Sequence, residues 1–389
     1  MKILVSCFTY YPSSNGVQSV TQYQAEGLVQ LGHEVTVLTG FRYGFREKIT
    51  LPSISEHKGV KIRRFDAFTD LSFHFGNKKE YQKLLINVSN QYDVILFVCP
   101  ESWCTDWALP ILDKLSCASM TMVHGIADTR WNGFPDKSAY GIFRKIEQNL
   151  RWPLFYNLSW KYIRMFDAVA QLHEMDFGYQ YFEKHGVEGQ YILYNAVDER
   201  FFEESKKNPQ VVNVGTFSPR KNQNKSLVSF YKSNLVNWKL ILIGQKKNDY
   251  YYNMLKLRDS LEQKYGHRDV EILVGIPREK TIELIRESSI YLLTSISEMF
   301  PVSLLEGMAA SCAFISTDVG IDKYLPGGAI ANTPDEIAIE LNRIAFSERL
   351  IHEMGKDGKR FVYDNCRKEF LVEKLEHIME TAIKRHKGL

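Results

Sequence analysis

Residues 294–310 read TSISEMFPVSLLEGMAA. The apolar run Ser289–Thr294 predicts a buried strand that ends here. After a short loop, Pro301 predicts the first turn of a helix, because proline is favoured at that position. The side chain of Phe300 cannot cap the helix, so the first N–H groups are left for another partner. A helix that begins at the carboxyl end of a parallel strand attracts anions through those N–H groups and its dipole, which suits a phosphate site.

Two glutamates lie close to that helix start. Glu298 comes just before the helix and Glu306 lies well inside it. Their separation is about 12 Å if the residues between them are all helical. This spacing places one carboxylate at each end of an elongated ligand, with the bound anion between them. The alternative is a buried helix with a solvated Glu298 and an ion-paired Glu306, and spacing alone does not separate the two interpretations.

Outward from this segment, short apolar runs occur in two series with helical segments between many of them. Most runs are β-branched and continuous, which is typical of strands buried on both faces of a parallel sheet. Strand–helix alternation that occurs twice predicts an α/β protein with two doubly wound, Rossmann-like sheets. The first series is Lys2–Thr9, Glu34–Thr39, Val60–Phe65, Asp93–Val98, Ala118–His124, Asp167–Leu172 and Tyr191–Tyr194. The second is Gln210–Gly215, Trp238–Gly244, Val270–Val274, Ser289–Thr294, Ala313–Thr317 and Ala329–Ala331.

The boundary between the two series lies in a charged segment near residues 195–210. Residues 198–208 contain four acids and three bases and little that could form a core. We therefore predict one domain over residues 1–197 and a second over residues 198–365. Residues 366–389 are predicted to form a C-terminal helix that docks back toward the first domain, because its apolar residues form one stripe.

The composition of the 389 residues excludes several classes of protein. Lys and Arg number 49 and Asp and Glu number 46, and a net charge of +3 disfavours a dedicated nucleic-acid-binding protein. The six cysteines contain no Cys-x-x-Cys pair and suit a reducing cytosol. No apolar run reaches the roughly 18 residues of a membrane span, and the N-terminal apolar run is typical of a strand rather than a signal peptide.

Several catalytic motifs are missing from the sequence. There is no Gly-x-Gly-x-x-Gly fingerprint, no P-loop, no His-Glu-x-x-His, no Gly-x-Ser-x-Gly and no Asp-x-Asp. Nicotinamide oxidoreductases, P-loop NTPases and α/β-hydrolases are therefore disfavoured. A protein of this kind that handles phosphates must do so with backbone N–H groups and basic side chains, without a metal ion.

Three further strand ends carry candidate site residues. The loop after Gly215 presents Arg220 and Lys221, two adjacent cations that can neutralise a leaving diphosphate. The alternative is an exposed basic loop. Asn15-Gly16 permits a close approach of backbone to ligand, or forms a plain strand–helix turn. His124 ends a strand at the sheet edge where ligands bind, although a lone histidine is more often an ordinary polar contact.

Taken together, these segments resemble the Glu-x7-Glu signature and accompanying motifs of retaining glycosyltransferases of the GT-B fold, family 4, over nearly the whole chain. The resemblance implies that Glu298 faces the donor sugar hydroxyls and that Glu306 holds the nucleotide ribose. It implies catalytic roles for Glu298, Lys221 and Arg220 and for His124, which would touch the sugar near the reaction centre. The other donor-binding residues that it implies are Gly16, Gly215, Thr216, Gly244, Ile276, Met299, Phe300, Pro301, Val302 and Ser303.

The sequence departs from the family pattern at two places near the expected diphosphate. Thr216 stands where the family has an arginine, so either Arg220 takes over that contact or the site carries less charge. Only Gly16 remains of the two glycines that are usual after the first strand. The resemblance also implies that the first domain binds the acceptor, that the second binds the nucleotide sugar, and that the active site lies in a cleft between them.

One stretch outside the motifs is rich in cations and aromatics. Lys137–Arg164 contains six basic residues, one acid and seven aromatic residues. Basic residues interleaved with aromatics suit an anionic membrane interface or a lipid-linked acceptor. The alternative is that the aromatics belong to the core of the first domain and the cations to its outer face.

The predicted function is the metal-independent, retaining transfer of a hexose-type sugar from a nucleotide diphosphate to a hydroxyl of a glycan or lipid-linked glycan. UDP is the expected nucleotide, with GDP as the alternative. No cofactor is expected beyond the nucleotide sugar as co-substrate. The predicted location is the cytoplasm, with peripheral contact at the inner face of the membrane through Lys137–Arg164. Two alternatives stay open: an inert nucleotide-sugar-binding subunit of a transferase complex, and a UDP-sugar epimerase of GT-B architecture.

Overall fold

The computed structural model of the chain describes residues 1–13, 16–44, 47–48, 51–70, 72–126 and 139–389. Contacts divide the chain into two compact units. Unit 1 comprises Met1–Thr129, Arg144–Asn195 and Glu369–Leu389, and unit 2 comprises Arg130–Phe143 and Ala196–Lys368. The boundary between residues 195 and 196 lies two residues before the one suggested by the sequence.

The strands are numbered in chain order. They are β1 Lys2–Ser6, β2 Glu34–Gly40, β3 Arg42–Gly44, β4 Glu47–Lys48, β5 Ile54–His57, β6 Val60–Phe65, β7 Ala67–Asp70, β8 Phe73–Gly76, β9 Val94–Val98, β10 Ala118–Val123, β11 Ala168–Gln171, β12 Gln190–Ile192, β13 Asn208–Val214, β14 Lys239–Gly244, β15 Asp269–Val274, β16 Ser288–Leu293, β17 Ala313–Ser316 and β18 Gly328–Ile330.

The helices are numbered in the same way. They are α1 Gly16–Gln30, α2 Lys78–Ser89, α3 Trp103–Asp106, α4 Ala139–Ile163, α5 Phe177–Lys184, α6 Gln223–Lys232, α7 Asp249–Tyr265, α8 Arg278–Glu287, α9 Val302–Ala309, α10 Pro334–Ala345, α11 Glu348–Asn365 and α12 Lys368–His386. Short 3-10 turns cover Leu109–Lys114, Glu199–Phe202 and Asp322–Tyr324.

Unit 1 is built on an eight-stranded sheet in the order β12-β11-β10-β9-β1-β2-β6-β5. All neighbouring strands are parallel except β5, which runs antiparallel to β6. Every residue of β9 and of β10 is buried, as expected for central strands that are covered on both faces. The continuous apolar runs of the sequence therefore mark the centre of this sheet.

The C-terminal helix α12 is a structural part of unit 1. It packs tightly on α1, because a Cβ atom built on Gly27 would lie only 2.5 Å from Cγ2 of Val372. The Nε2 atom of His33 lies 2.7 Å from a carboxylate oxygen of Glu376. The buried face of the helix consists of Leu371, Val372, Leu375, Ile378, Met379 and Ala382.

Unit 2 is built on a six-stranded sheet in the order β15-β14-β13-β16-β17-β18, and all its strand pairs are parallel. The predicted fold class, with two parallel-sheet α/β units, is confirmed. Strand order reverses between β13 and β16, so the chain leaves these two neighbouring strands in opposite directions along the sheet. Open α/β sheets bind ligands at the carboxyl ends of strands at such a switch point, which directs attention to the loops after β13 and β16.

Candidate functional site

The two loops at the switch point of unit 2 are fastened to each other. Residues 215–222 follow β13, and residues 294–301 follow β16. The N–H group of Ile296 donates to the carbonyl oxygen of Arg220 at 2.8 Å. The hydroxyl of Thr294 donates to the carbonyl oxygen of Asn222 at 3.0 Å. These bonds hold the basic loop and the glutamate loop together as one surface.

Three predicted catalytic residues meet on that surface. The ammonium nitrogen of Lys221 lies 2.6 Å from Oε1 of Glu298, and Nη1 of Arg220 lies 3.3 Å from Oε2. Arg220 also donates to the carbonyl oxygen of Ser297 at 2.9 Å. The Glu298 side chain is only 8% exposed, so the alternative of a solvated Glu298 is wrong. Two cations around one carboxylate leave a net positive charge at the carboxyl edge of the sheet.

The first N–H groups of α9 lie on the same loop as Glu298. The residue before the helix is Pro301, which makes no side-chain cap bond. Its carbonyl accepts from the N–H groups of Leu304 and Leu305, at 3.0 and 3.3 Å. Within the parts of the chain that the structure describes, the N–H groups of Val302 and Ser303 have no acceptor. Unpaired amides at a helix start are suited to bind an anionic group.

The backbone at Met299 is held by a neighbouring loop after β17. The carbonyl oxygen of Met299 accepts from the N–H group of Ile321 at 3.3 Å. Gly320 has a positive φ of 52°, and a Cβ atom built there would lie 2.2 Å from the same carbonyl oxygen. Only glycine fits this position without moving the Glu298–Met299 segment. The position of Glu298 therefore depends on a glycine outside the recognised motifs.

Glu306 forms a buried ion pair, as the alternative interpretation expected, and its partner Arg278 was not among the predicted site residues. The two carboxylate oxygens contact the two terminal nitrogens of the guanidinium group, one of them at 3.4 Å. Burial raises the pKa of Glu306, while the charge of Arg278 opposes that rise. Arg278 also lies over the ring of Phe201, 5.0 Å from its centre. In the sequence, the only feature that marks Arg278 is its position as the first residue of a helix after Gly275-Ile276-Pro277.

A pocket of about 330 Å³ opens at the carboxyl ends of β13, β14 and β15. Four predicted donor-binding residues line it together with Arg278. Gly244 packs so closely on Phe217 that a Cβ atom built on Gly244 would lie 2.5 Å from the ring of Phe217. The lining residues are Val214, Gly215, Thr216, Ile243, Gly244, Gln245, Gly275, Ile276, Arg278 and Thr281.

Two predicted site residues belong to unit 1. His124 follows β10, and burial lowers the pKa of its imidazole to about 4, so the ring is neutral near pH 7. Its Nε2 atom is buried and has no hydrogen-bond partner among the described residues. Gly16 is the first residue of α1 and is exposed, while the preceding Asn15 lies outside the described residues. The roles predicted for His124 and Gly16 remain predictions.

The basic, aromatic stretch differs from its membrane interpretation in detail. Its described part lies mostly in α4, and Lys137 lies outside the described residues. Trp152 and Tyr156 are buried in the core of unit 1, and Phe155 and Tyr162 pack against that core. The exposed face of α4 is instead largely aliphatic, and it carries Ile142, Phe143, Ile146, Leu150, Leu154 and Leu158.

A second, larger cavity in unit 2 lies away from this site. It measures about 1020 Å³ and is lined by residues at the starts of β13 and β16 and by α11. None of the predicted site residues lines it. In the described parts of the chain, no group of three or more His, Cys, Asp or Glu side chains is arranged to hold a metal ion. No described helix is both long enough and apolar enough to cross a membrane.

Two family patterns match the chain. The family described as "Glycosyl transferases group 1" matches residues 196–325, and "Glycosyltransferase Family 4" matches residues 14–200. The first match spans the strands, loops and helices that carry Lys221, Glu298 and Glu306. The second covers most of the part of unit 1 that precedes the boundary. The two matches overlap at residues 196–200, next to the boundary between the units.

One named relative and two solved structures are similar to this chain over nearly its whole length. N-acetyl-alpha-D-glucosaminyl L-malate synthase of Bacillus anthracis is 21% identical over 100% of this chain and 99% of its own. Sucrose-phosphate synthase from Thermosynechococcus elongatus superposes with a TM-score of 0.71 at 15% identity, covering 99% of both chains. The Anabaena protein HepE, solved with UDP and glucose, superposes with a TM-score of 0.66 at 15% identity, covering 98% of this chain and 100% of its own.

Proposed function

Because the chain belongs to the group 1 and family 4 glycosyltransferases of the GT-B fold, we propose that it transfers a hexose-type sugar from a nucleotide diphosphate donor. The acceptor in this proposal is a hydroxyl group of a glycan or lipid-linked glycan. The observation that carries the proposal is the cluster of Lys221, Arg220 and Glu298 beside the unpaired amides of α9. In this proposal the cluster supplies the positive charge that stabilises the departing diphosphate.

The cluster favours the transition state over the bound donor. As the bond between the sugar C1 atom and the β-phosphate oxygen breaks, negative charge grows on that oxygen. Lys221 is held only 15% exposed, where water screens its charge less than at the open surface. A fixed cation and fixed amides stabilise the growing charge without having to reorganise. In this proposal they do so without a metal ion.

We assign the donor mainly to the loops of unit 2. The pocket formed by β13, β14 and β15 is lined by backbone at Gly215, Gly244 and Gly275, which permits the close contact that a flat nucleobase needs. Glu306 would accept from the ribose hydroxyls once Arg278 has fixed its carboxylate. The presence of UDP in the structure of HepE supports UDP as the nucleotide. GDP is the alternative.

The proposed chemistry retains the anomeric configuration. The acceptor oxygen attacks C1 on the face that the diphosphate leaves, and the leaving phosphate oxygen takes the proton of the acceptor hydroxyl. One C–O bond breaks and one forms, so no oxidant or cofactor enters the balance. Each oxygen of Glu298 lies beside a cation, which makes this carboxylate a poor covalent nucleophile and suits it to orient sugar hydroxyls. The contact predicted between His124, whose buried ring is neutral near pH 7, and the sugar is part of the same proposal.

A donor panel tests the proposed function. The purified chain is incubated with UDP- and GDP-sugars, and release of the nucleoside diphosphate is followed with and without EDTA. We expect release with at least one donor, at a rate that EDTA does not change, and retained configuration in the product by NMR. Tight binding with no turnover throughout the panel would favour the inert subunit. Conversion of the donor into its epimer would favour the epimerase.

We also propose that the aliphatic face of α4 contacts a membrane, which would bring a lipid-linked acceptor to unit 1. Leu150, Leu154 and Leu158 are spaced along one side of the helix and are 59–70% exposed. Lys161 and Arg164 are exposed at the end of the same helix. Aliphatic side chains flanked by cations are typical of helices that lie in an anionic interface.

Vesicle flotation tests the membrane contact. Replacing Leu150 and Leu154 together by Asn is expected to weaken binding to phosphatidylglycerol vesicles by about 100-fold or more, because each buried leucine contributes about 1.5–3 kcal/mol. The matched control replaces Val236 and Ile339, which are similarly exposed in unit 2. Equal flotation of both double variants and the unchanged protein would contradict the proposal.

A further inference from the structure

Asp322 is a buried acid that none of the motifs includes. It begins a 3-10 turn after β17, at the same sheet edge as Glu298, and its exposure is 0%. One carboxyl oxygen, Oδ2, lies 2.6 Å from the hydroxyl of Ser316. The other, Oδ1, is buried and has no hydrogen-bond partner among the described residues. A charged carboxylate in this position would lose its hydration with little compensation.

The hydrogen bonds around Asp322 favour its protonated form. Ser316 donates its hydroxyl to Oδ2 of Asp322 at 2.6 Å, and the same hydroxyl lies 2.9 Å from the carbonyl oxygen of Thr317, which can only accept. The one hydrogen of Ser316 is thus shared between two acceptors, and Oδ1 has no donor among the described residues. A buried carboxylate with at most one donor is poorly stabilised, so the geometry suits a protonated, neutral Asp322.

The charges around Asp322 are those of the transfer site. Burial raises the pKa of Asp322 to about 8, and the nearby charges of Glu298 and Asp318 add to the rise while Ser316 and the charge of Lys221 oppose it. The link is also mechanical, because Ile321 N–H bonds to the carbonyl of Met299 one residue before Asp322. Asp322 is thus linked to Lys221 and Glu298 by charge, and to the segment that carries Glu298 by the backbone bond of its neighbour Ile321.

We propose that Asp322 is a positioning residue of the transfer site, and that it acts as a neutral carboxylic acid that leaves the Lys221 ammonium group paired with Glu298. This inference rests on the proposed function. An ionised Asp322 places a second carboxylate near the same ammonium group, repels Glu298 and draws Lys221 away from the departing phosphate. When Asp322 is neutral, Lys221 and Glu298 keep the ion-paired arrangement that the structure contains.

The pH profile of turnover tests the proposal. We expect kcat of the unchanged chain to fall by about tenfold per pH unit above about pH 8, with little change in the KM for the donor. Asp322→Asn keeps the shape and cannot ionise, so it should retain kcat within about threefold at pH 7 and lose the alkaline fall. The matched control is Asp318→Asn, which removes an exposed, ion-paired carboxylate of the same loop and should keep the fall. An alkaline fall that persists in Asp322→Asn overturns the proposal.

Thermal unfolding gives a readout that does not depend on activity. The unfolded chain releases the proton of Asp322 above about pH 4, whereas the folded chain holds it until about pH 8. Folding of the unchanged chain therefore becomes less favourable as the pH rises between those values. Asp322→Asn lacks this loss, so its advantage in Tm should grow from about pH 4 to about pH 8 and then stay constant. A pH-independent difference in Tm overturns the neutral acid, whereas absent turnover in every variant overturns the proposed function and the positioning role with it.

Discussion

Replacing Lys221 by Ala is expected to lower kcat by about 100- to 1000-fold, as removal of one fixed electrostatic group does at other active sites. The KM for the donor should change little, because the lysine acts mainly on charge that develops as the bond breaks. Its ammonium group lies 2.6 Å from Glu298 and is largely shielded from water, so no solvent cation replaces it. The measurement is the rate of nucleoside diphosphate release at saturating donor.

Two further variants make the Lys221 result interpretable. Lys225→Ala removes a cation on the following helix that bonds to a carbonyl of Asn332, and it should leave kcat unchanged. In Lys221→Ala the carboxylate of Glu298 loses its nearest cation. The double variant Lys221→Ala with Glu298→Gln removes that unpaired charge as well, so the Tm of the double variant reports whether the site still folds. If Lys221→Ala folds and retains full kcat, Lys221 has no part in the mechanism.

Gly320→Ala is expected to lower kcat by about 100-fold without removing any polar group, because a shift of about 1 Å in a reacting geometry costs about that much. The new Cβ atom would lie 2.2 Å from the carbonyl oxygen of Met299, so the Glu298–Met299 segment must move. The positive φ of 52° adds a conformational cost of about 1–2 kcal/mol. Both Tm and kcat should fall.

Gly266→Ala separates the effect of the backbone conformation from the effect of the close contact with Met299. Gly266 also has a positive φ, of 85°, but a Cβ atom built there meets nothing within 4 Å. This variant should show the loss in Tm that comes from backbone conformation and no loss in kcat. Full activity in Gly320→Ala would show that the position of the glutamate loop does not depend on this contact.

The central sheets could be predicted because their strands are continuous apolar runs. β9 and β10 are buried at every residue, and a sequence pattern reports such burial directly. The additional strands β3, β4, β5, β7 and β8 were not predicted. Exposed residues interrupt β5 and β8, and β5 is paired antiparallel at the sheet edge, so no long apolar run marks them. Each of these strands pairs with a neighbour only a few residues away, β3 with β4, β5 with β6 and β7 with β8, so short hairpins rather than apolar runs define them.

The candidate site was predictable to the extent that local motifs define it. Lys221, Arg220 and Glu298 were singled out, and the structure brings them together. Arg278 was missed, because its pairing with Glu306 joins two helices and leaves no local pattern. The aromatics of α4 allowed two interpretations, since composition does not reveal which face of a helix is buried. Asp322 gave no signal, because a single acid in a polar loop is usually exposed.

The place of α12 in unit 1 has a consequence for how the chain acquires its structure during synthesis. Residues 196–368, the longer of the two segments of unit 2, emerge from the ribosome as one continuous stretch and can collapse while translation continues. Unit 1, in contrast, has to wait for residues 369–389, which supply Val372 against Gly27 and Glu376 against His33. The part of the protein that is made first is therefore the last to be finished, and a premature stop codon after residue 365 would leave it without its closing helix.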